Sequence, residues 1–376
     1  MKLDKKIATI MRKNNYTNII LNIIKPLYNK YKILYDNIFL KYGLLYLYKF
    51  PVFHKFLYPK RLYIYLTSKC NLRCFICLRT YNNYIGKDIK FDDLRKIERA
   101  IKYAKIINLT GWGEATIYPK FKQTLEHIYS INPNKNLIEI ITNGTCLSKE
   151  IASLLNGHLY SLTISLNAAT EETYNRDMKN GNFIKTINNI KIFMNSLNDN
   201  EKDKINLHFV AHTENFKEIP QFINLAHELN ISSVTVGQYL VCHDEHKKFS
   251  LFNIKQEYNN IILQSEKQAK DLNVFLGAQK FSNQSDIKDF TSQFCFYPFS
   301  ECIVHPNGNI KVCCYSGSDD NMGNTFETTF ETIWFGKRYN KLRNHRFLSK
   351  CEKCLINVSF DDPNAHYIID DSLVLP

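Results

Sequence analysis

The sequence predicts an α/β protein organised on parallel strands. Three observations lead there. Between residues 61 and 237, short β-rich runs alternate with stretches of helical apolar spacing. A cysteine-rich segment follows the first run and a glycine-rich one the second, at the strand ends where parallel βα folds keep their chemistry. A second group of cysteines closes the chain on a hairpin and a helix. Together they give a partial (β/α)6 TIM-like barrel over residues 57–272. A basic helical extension precedes it over 1–56, and a small β-hairpin/helix cluster-binding domain follows over 273–376.

The chain has 376 residues, 44% hydrophobic and 13% aromatic, enough for one large core and a smaller one. Its 11 cysteines accompany no secretory signal, so thiols bound to metal in a reducing, cytoplasmic setting are expected rather than disulfides. No run approaches the length of a membrane span. The net charge of +13 is concentrated: residues 1–61 hold 13 Lys/Arg against 2 Asp/Glu.

Within that basic segment, Ile19, Ile20, Leu21, Ile23, Ile24, Leu27 and Tyr28 form a helical stripe interrupted at Pro26. A second run, Ile33 to Leu47, is flanked by Lys32, Lys41 and Lys49. The plain expectation is a helical unit packed on the main domain with its lysines solvated. Contact of residues 1–60 with an anionic membrane surface or carrier is the second reading. No nucleic-acid-binding module accompanies the charge, so nucleic acid is not an expected partner.

The first strand, Arg61 to Thr67, runs into Cys70-Asn-Leu-Arg-Cys74-Phe-Ile-Cys77. Three thiolates in this spacing hold three irons of a 4Fe-4S cluster and leave the fourth without a protein ligand. An open iron is a reactive position, as an open coordination site is on a catalytic metal. Zinc is the competing reading, but it prefers paired ligand sets, and no fourth ligand lies nearby in sequence.

Phe91 to Ala104 reads as helix, with Asp92 and Asp93 in its first turn. The second strand, Ile106 to Thr110, is followed by Gly111-Trp112-Gly113-Glu114-Ala115. Glycines there let backbone approach a ligand, and a carboxylate accepts from an ammonium. Phe121 to Ile131 is helical. Leu137 to Thr142 is a strand ended by Asn143-Gly144, and Leu159 to Leu166 another, followed by helix from Thr170 to Asn195 with a break at Asn180-Gly181. Ile205 to Ala211 is the fifth strand. Its helix is expected to open with Asn215 as cap and Glu218 as capping-box partner. Ser233 to Gly237 is the sixth, and Phe252 to Leu272 has a helical pattern. His208 and His212 share a strand face. Polar packing is the plain reading for both, proton acceptance the minor one.

The C-terminal unit holds Cys295, Cys302, Cys313, Cys314, Cys351 and Cys354. Ile303 to Cys313 reads as a hairpin turning at Asn307-Gly308, and Phe330 to Phe347 as a helix leading to Cys351-x2-Cys354. Four thiolates from two such pieces enclose a metal, and zinc is again the alternative. Cys146 and Cys242 read as ordinary buried thiols.

The Cys70/Cys74/Cys77 triplet resembles that of the radical S-adenosylmethionine (radical SAM) enzymes. Ile76 stands where that family usually has an aromatic residue, and Phe75 is one place early. The resemblance covers about residues 57–240. It implies a six-stranded partial barrel whose cluster, with S-adenosyl-L-methionine on the open iron, yields a 5'-deoxyadenosyl radical that removes a substrate hydrogen. It also implies an external electron donor such as flavodoxin or ferredoxin. The 111–115 segment is similar to the family's Gly-Gly-Glu-Pro, which makes Gly111, Gly113 and Glu114 cosubstrate-binding. Thr142-Asn143-Gly144 resembles another common segment. Ser165 and Asn167 stand where family members place polar residues on the ribose. Residues 295–354 resemble a twitch or SPASM domain, which implies a second, auxiliary 4Fe-4S cluster on Cys295, Cys313, Cys351 and Cys354. The expected activity is a two-electron oxidation of a sugar, cyclitol or polyol, free or carrier-linked, with that cluster as electron acceptor. Radical modification of a peptide or protein side chain is the alternative. A zinc-stabilised, non-catalytic binding protein is the third reading.

Overall fold

The computed structural model describes Tyr48 and residues 51–132, 137–241, 243–281, 295, 297–313 and 321–345. The expectations for the N-terminal helices and for Cys242, Cys314, Cys351 and Cys354 fall outside these residues.

One sheet organises the described chain. Its strands are β1 (Arg61–Ile64), β3 (Ile106–Asn108), β4 (Leu137–Thr142), β5 (Leu159–Ser165), β7 (Ile205–Ala211), β8 (Ser233–Gln238), β9 (Phe275–Ala278), β10 (Glu301–Val304), β11 (Asn309–Lys311) and β12 (Gly323–Asn324). The order is β12-β11-β10-β1-β3-β4-β5-β7-β8-β9. Every pairing from β10 across to β9 is parallel. The six expected strands are present in sequence order, as a partial barrel requires. Two further strands extend the sheet: β9 lies beside β8, and β10 lies beside β1 with Leu62 opposite Cys302. The predicted hairpin is β10–β11, antiparallel, with Gly308 at φ +84 in its turn.

Alternation of side chains places the core. On β7, Ile205, Leu207, Phe209 and Ala211 are fully covered, and Phe209 meets Phe222 of the following helix edge-on at 4.9 Å. Asn206, His208 and Val210 take the opposite face and are half-buried. The helices between the strands include α1 (Leu78–Tyr81), α2 (Glu98–Tyr103), α3 (Phe121–Ile131), α4 (Lys149–Leu155), α5 (Glu171–Asp177), α6 (Phe183–Ser196), α7 (Ile219–Glu228) and α8 (Lys255–Asp271). Ser148, Thr170 and Asn182 cap α4, α5 and α6 by accepting from the backbone N–H three residues on. None of the described helices is long and apolar enough to cross a membrane.

Four local expectations change. Residues 91–97 are a 3-10 turn, and only 98–103 are α-helix. The long helix from Thr170 breaks because Met178–Lys179 (β6) leaves it to pair with Arg73–Cys74 (β2). Asn215 and Glu218 form no capping box: Asn215 Oδ1 accepts from His212 N–H at 2.7 Å, and Glu218 reaches back to Ala169 N at 2.8 Å and to the Thr170 and Thr173 hydroxyls. A donor three residues back takes the Asn215 oxygen, and long-range donors take the Glu218 carboxylate. The C-terminal helix divides into α9 (Phe330–Trp334) and α10 (Lys337–His345) around Gly336.

Candidate functional site at the carboxyl ends of the strands

The cysteine triplet lies on the loop after β1, at the carboxyl edge of the sheet. Cys70, Cys74 and Cys77 are free thiols, each half-buried. Burial pushes the Cys70 and Cys74 thiols up, and at Cys74 the neighbouring Cys77 and Cys70 sulfurs add to the rise. Thiols that raise one another in this way are poised for a cationic metal, which reverses the penalty. Two N–H groups already face Cys70 Sγ: Leu72 N at 3.4 Å and Asn143 Nδ2 at 3.8 Å. Such donors orient and tune a cluster thiolate. Among the described residues no group of three His, Cys, Asp or Glu side chains converges on a single-ion site. A four-iron cube asks each thiolate for a separate iron, and the triplet fits that demand.

The glycine segment after β3 is locked against the base of this loop. A Cβ on Gly113 would stand 2.2 Å from Lys69 O, and Glu114 N–H donates to that carbonyl at 2.8 Å. A Cβ on Gly111 would meet the Tyr65 ring at 2.9 Å. These glycines permit close approach of two loops. Glu114 is buried, and its carboxylate ties β3 to β4. Oε1 accepts from Thr116 N at 3.1 Å, Thr116 Oγ1 at 2.6 Å and Thr142 Oγ1 at 2.8 Å, and Oε2 accepts from Asn143 N at 2.7 Å. Asn143 passes the connection to the triplet, donating to Asn71 Oδ1 at 3.0 Å, while Asn71 donates to Thr145 Oγ1 at 2.7 Å. Asn71 was not foreseen, because the pair it forms spans residues far apart in sequence.

Ser165, His208 and Thr235 sit opposite one another on β5, β7 and β8, in one half-buried row. His208 Nδ1 bonds Thr235 Oγ1 at 2.8 Å, and burial lowers its pKa. Gly237 leaves room above the ring: a Cβ there would stand 3.4 Å from Nε2. Asn167 is buried at φ +59, and its Oδ1 accepts from Val210 N at 3.0 Å. His212 is occupied on both nitrogens, Nε2 with Asp177 Oδ2 at 3.0 Å and Nδ1 accepting from Glu214 N at 3.3 Å. The two histidines that share a strand therefore part company. His208 is half-buried, with its Nδ1 on Thr235, whereas His212 is buried with both nitrogens bonded.

Cys295 and Cys313 are half-buried, Cys313 two residues beyond β11. Cys302 belongs to the core: Tyr339 Oη donates to its sulfur at 3.6 Å, and burial pushes the thiol up to about 12. Cys146 is half-buried on the loop that carries Asn143, beside Thr145 Oγ1 at 3.8 Å.

The radical SAM superfamily pattern matches residues 64–226, and an iron-sulfur cluster-binding SPASM pattern matches 295–355. The chain carries a radical SAM domain followed by a SPASM domain. A GTP 3',8-cyclase of Clostridium perfringens is 32% identical over 171 residues, 44% of this chain and 51% of that protein. A Pyrococcus furiosus tungsten-containing aldehyde ferredoxin oxidoreductase cofactor-modifying protein is 27% identical over 188 residues, 48% and 52%. The chain spans about half the length of these curated relatives. Among solved structures, Streptococcus suis SuiB bound to S-adenosylmethionine superposes with TM-score 0.58 at 18% identity, over 85% of this chain and 78% of that one. The enzyme anSMEcpe with bound AdoMet gives 0.59 at 18%, over 79% and 83%. At this identity the likeness is one of fold. A radical SAM domain brings a 4Fe-4S cluster and S-adenosylmethionine, and a SPASM domain brings auxiliary iron–sulfur chemistry.

Proposed function

We propose that this radical SAM enzyme oxidises a hydroxylated carbon of a small molecule. The observation that carries the reading is the polar row on the half-buried face of the strands. Ser161, Thr163 and Ser165 of β5, Asn206 and His208 of β7 and Ser233 and Thr235 of β8 all occupy it. Closed βα barrels fill that space with Val, Ile and Leu. A face of hydroxyls, amides and one imidazole suits a substrate that brings its own hydroxyls.

When bound, S-adenosylmethionine and the Cys70/Cys74/Cys77 cluster supply a primary carbon radical that takes a C–H hydrogen, and a second cluster on Cys295, Cys313, Cys351 and Cys354 accepts the remaining electron. The chain's own residues do the rest. Gly111 and Gly113 bring backbone against the triplet for the methionyl group. Glu114 holds the Asn143 turn in place, and Ser165 and Asn167 belong to the ribose side. With Nδ1–H donating to Thr235 Oγ1, His208 Nε2 keeps its lone pair toward the substrate, and burial keeps the ring neutral and able to accept the hydroxyl proton. The SPASM segment's closed ligand set suits electron transfer better than substrate ligation. The reductant is a flavodoxin- or ferredoxin-type donor, and residues 1–60 are the part suited to an anionic surface or carrier. The relatives named GTP 3',8-cyclase fall in the same chemical class, since a nucleotide ribose is itself hydroxylated.

The test is deuterium transfer. Sugars, cyclitols and nucleotides deuterated at carbinol carbons are incubated anaerobically with reduced enzyme and S-adenosylmethionine, and 5'-deoxyadenosine is weighed. Deuterium in that product, and its loss of coupling to oxidation in His208→Gln, is expected. Transfer from peptides alone would replace this reading with side-chain modification. That second reading is favoured by structural neighbours seen with peptides, SuiB with precursor peptide SuiA and anSMEcpe with Cp18Cys peptide.

A further inference from the structure

Phe75 lies between the second and third cysteines of the triplet, and its ring enters a socket built from the ends of β7 and β8 and the 3-10 turn Asp244–Phe249. Its centroid is 5.0 Å from His212, 5.7 Å from His246, 5.1 Å from Phe249 and 6.1 Å from Tyr239. The first three contacts are edge-to-face, the arrangement that ring quadrupoles favour. Its backbone is held as well. Phe75 N–H donates to Asp177 O at 3.1 Å, continuing the pairing of Cys74 with Met178.

The walls of the socket are fixed by hydrogen bonds. His212 accepts from Glu214 N–H at Nδ1, so Nε2 carries the proton and donates to Asp177 Oδ2 at 3.0 Å. Arg176 grips the same carboxylate at 2.7 and 3.0 Å. His246 Nδ1 bonds Tyr239 Oη at 2.7 Å. His212 and Asp177 are both buried, His212 at 1% exposure. Burying such a pair is costly unless geometry repays it, and nothing in the oxidation chemistry requires it.

We propose that Phe75 is a positioning residue that seats the Cys70–Cys77 loop on the sheet before iron arrives, with the His212–Asp177 and Tyr239–His246 pairs as the walls that hold its ring. The aromatic residue one place early thereby acquires a role of its own. It docks the loop through the ends of β7 and β8, and Asp177 clamps the same loop from the end of α5. The proposal rests on the triplet being the radical SAM cluster site.

The experiment uses the full chain, first without iron and then reconstituted. In the iron-free protein, hydrogen exchange at the Phe75 amide reads the docking directly. His212→Leu removes the donor to Asp177, and His212→Gln retains one. Exchange at Phe75 should quicken at least tenfold in His212→Leu and stay within about threefold of wild type in His212→Gln, with β7 and α7 amides unchanged. After reconstitution, His212→Leu and Phe75→Ala should lose the S-adenosylmethionine-induced change in the cluster's EPR spectrum, while the C-terminal iron remains. Tyr239→Phe keeps the volume and removes one wall's bond, so it supports a result even where a larger change unfolds the protein. It should raise KM for S-adenosylmethionine several-fold with less effect on kcat. Unchanged Phe75 exchange in His212→Leu together with an unchanged KM in Tyr239→Phe would overturn the proposal. Absence of a triplet-dependent EPR signal in wild type would instead overturn the cluster reading beneath it.

Discussion

Replacing Glu114 by Gln separates two roles that one carboxylate plays in this fold. Both oxygens are committed, Oε1 to Thr116 and Thr142 and Oε2 to the Asn143 amide. A glutamine has one oxygen. Whichever way it is turned, its NH2 faces a backbone N–H, Asn143's on one side or Thr116's on the other, and only the two threonine hydroxyls can turn to accept from it. The Asn143 amide at 2.7 Å is the most exposed to this conflict. One buried donor left without an acceptor costs about 1–3 kcal/mol, and the amide's own unpaired N–H adds a similar amount, for a total of about 2–6 kcal/mol. With an unfolding entropy of about 2.1 cal/mol/K per residue over 376 residues, each kcal/mol moves Tm by about 1.3 °C, so Tm should fall by about 3–8 °C. Thermal unfolding of the iron-free protein measures this away from any ligand, and equilibrium dialysis of the reconstituted enzyme gives S-adenosylmethionine affinity. A Tm within about 2 °C of wild type, with affinity reduced tenfold or more, would refute the strut and make Glu114 a direct ligand.

Other perturbations read different parts of the molecule. Gly113→Ala places a methyl 2.2 Å from Lys69 O, a backbone atom that cannot step aside, so iron bound after reconstitution should fall from about eight per chain to about four. Asn167→Asp should destabilise by about 1–2 kcal/mol in denaturant melts: Oδ1 still accepts from Val210 N–H, but the Nδ2 bond to Met178 Sδ is lost and a carboxylate is buried. Asn167→Ala should lose more, since alanine has no acceptor for Val210 N and disfavours φ +59. His305 is buried against Tyr65, and burial, then Lys311, pulls its pKa down to about 3. The folded state therefore binds fewer protons than the unfolded chain between about pH 6.5 and 3, and stability falls with pH there by up to about 1.4 kcal/mol per unit. Denaturant melts at pH 6 and 5 should show a smaller loss in His305→Phe than in wild type.

Strand and helix order was legible because it is written in local periodicity: LIEIIT and INLHFVA carry their faces in alternate residues. The triplet and the glycine segment were legible because their spacing is itself the chemistry. What could not be read was everything made by long-range capture. Glu218 has the spacing of a capping box and serves residues 169–173 instead. Met178–Lys179 resembles helix until Arg73–Cys74 offers it a strand partner. His208 and His212 look equivalent four residues apart on one strand. Only the positions of Thr235 and Asp177 distinguish the half-buried imidazole from the buried one.

The parallel pairing of β1 with β10 sets a schedule for biosynthesis. Arg61 meets Glu301 across 240 residues of chain, and the same seam is fastened by Lys60 N to Ser300 O at 2.8 Å and Trp334 Nε1 to Leu57 O at 2.8 Å. On a ribosome adding roughly 5–20 residues per second, the outer edge of β1 waits about 10–50 seconds for its neighbour. During that interval a flat, apolar strand shows its unpaired amides and carbonyls to other nascent chains. Cutting the radical SAM domain free of the SPASM segment would make that temporary exposure permanent. Expression of the shortened chain should yield aggregates, and a separately made C-terminal segment supplied during synthesis should relieve them.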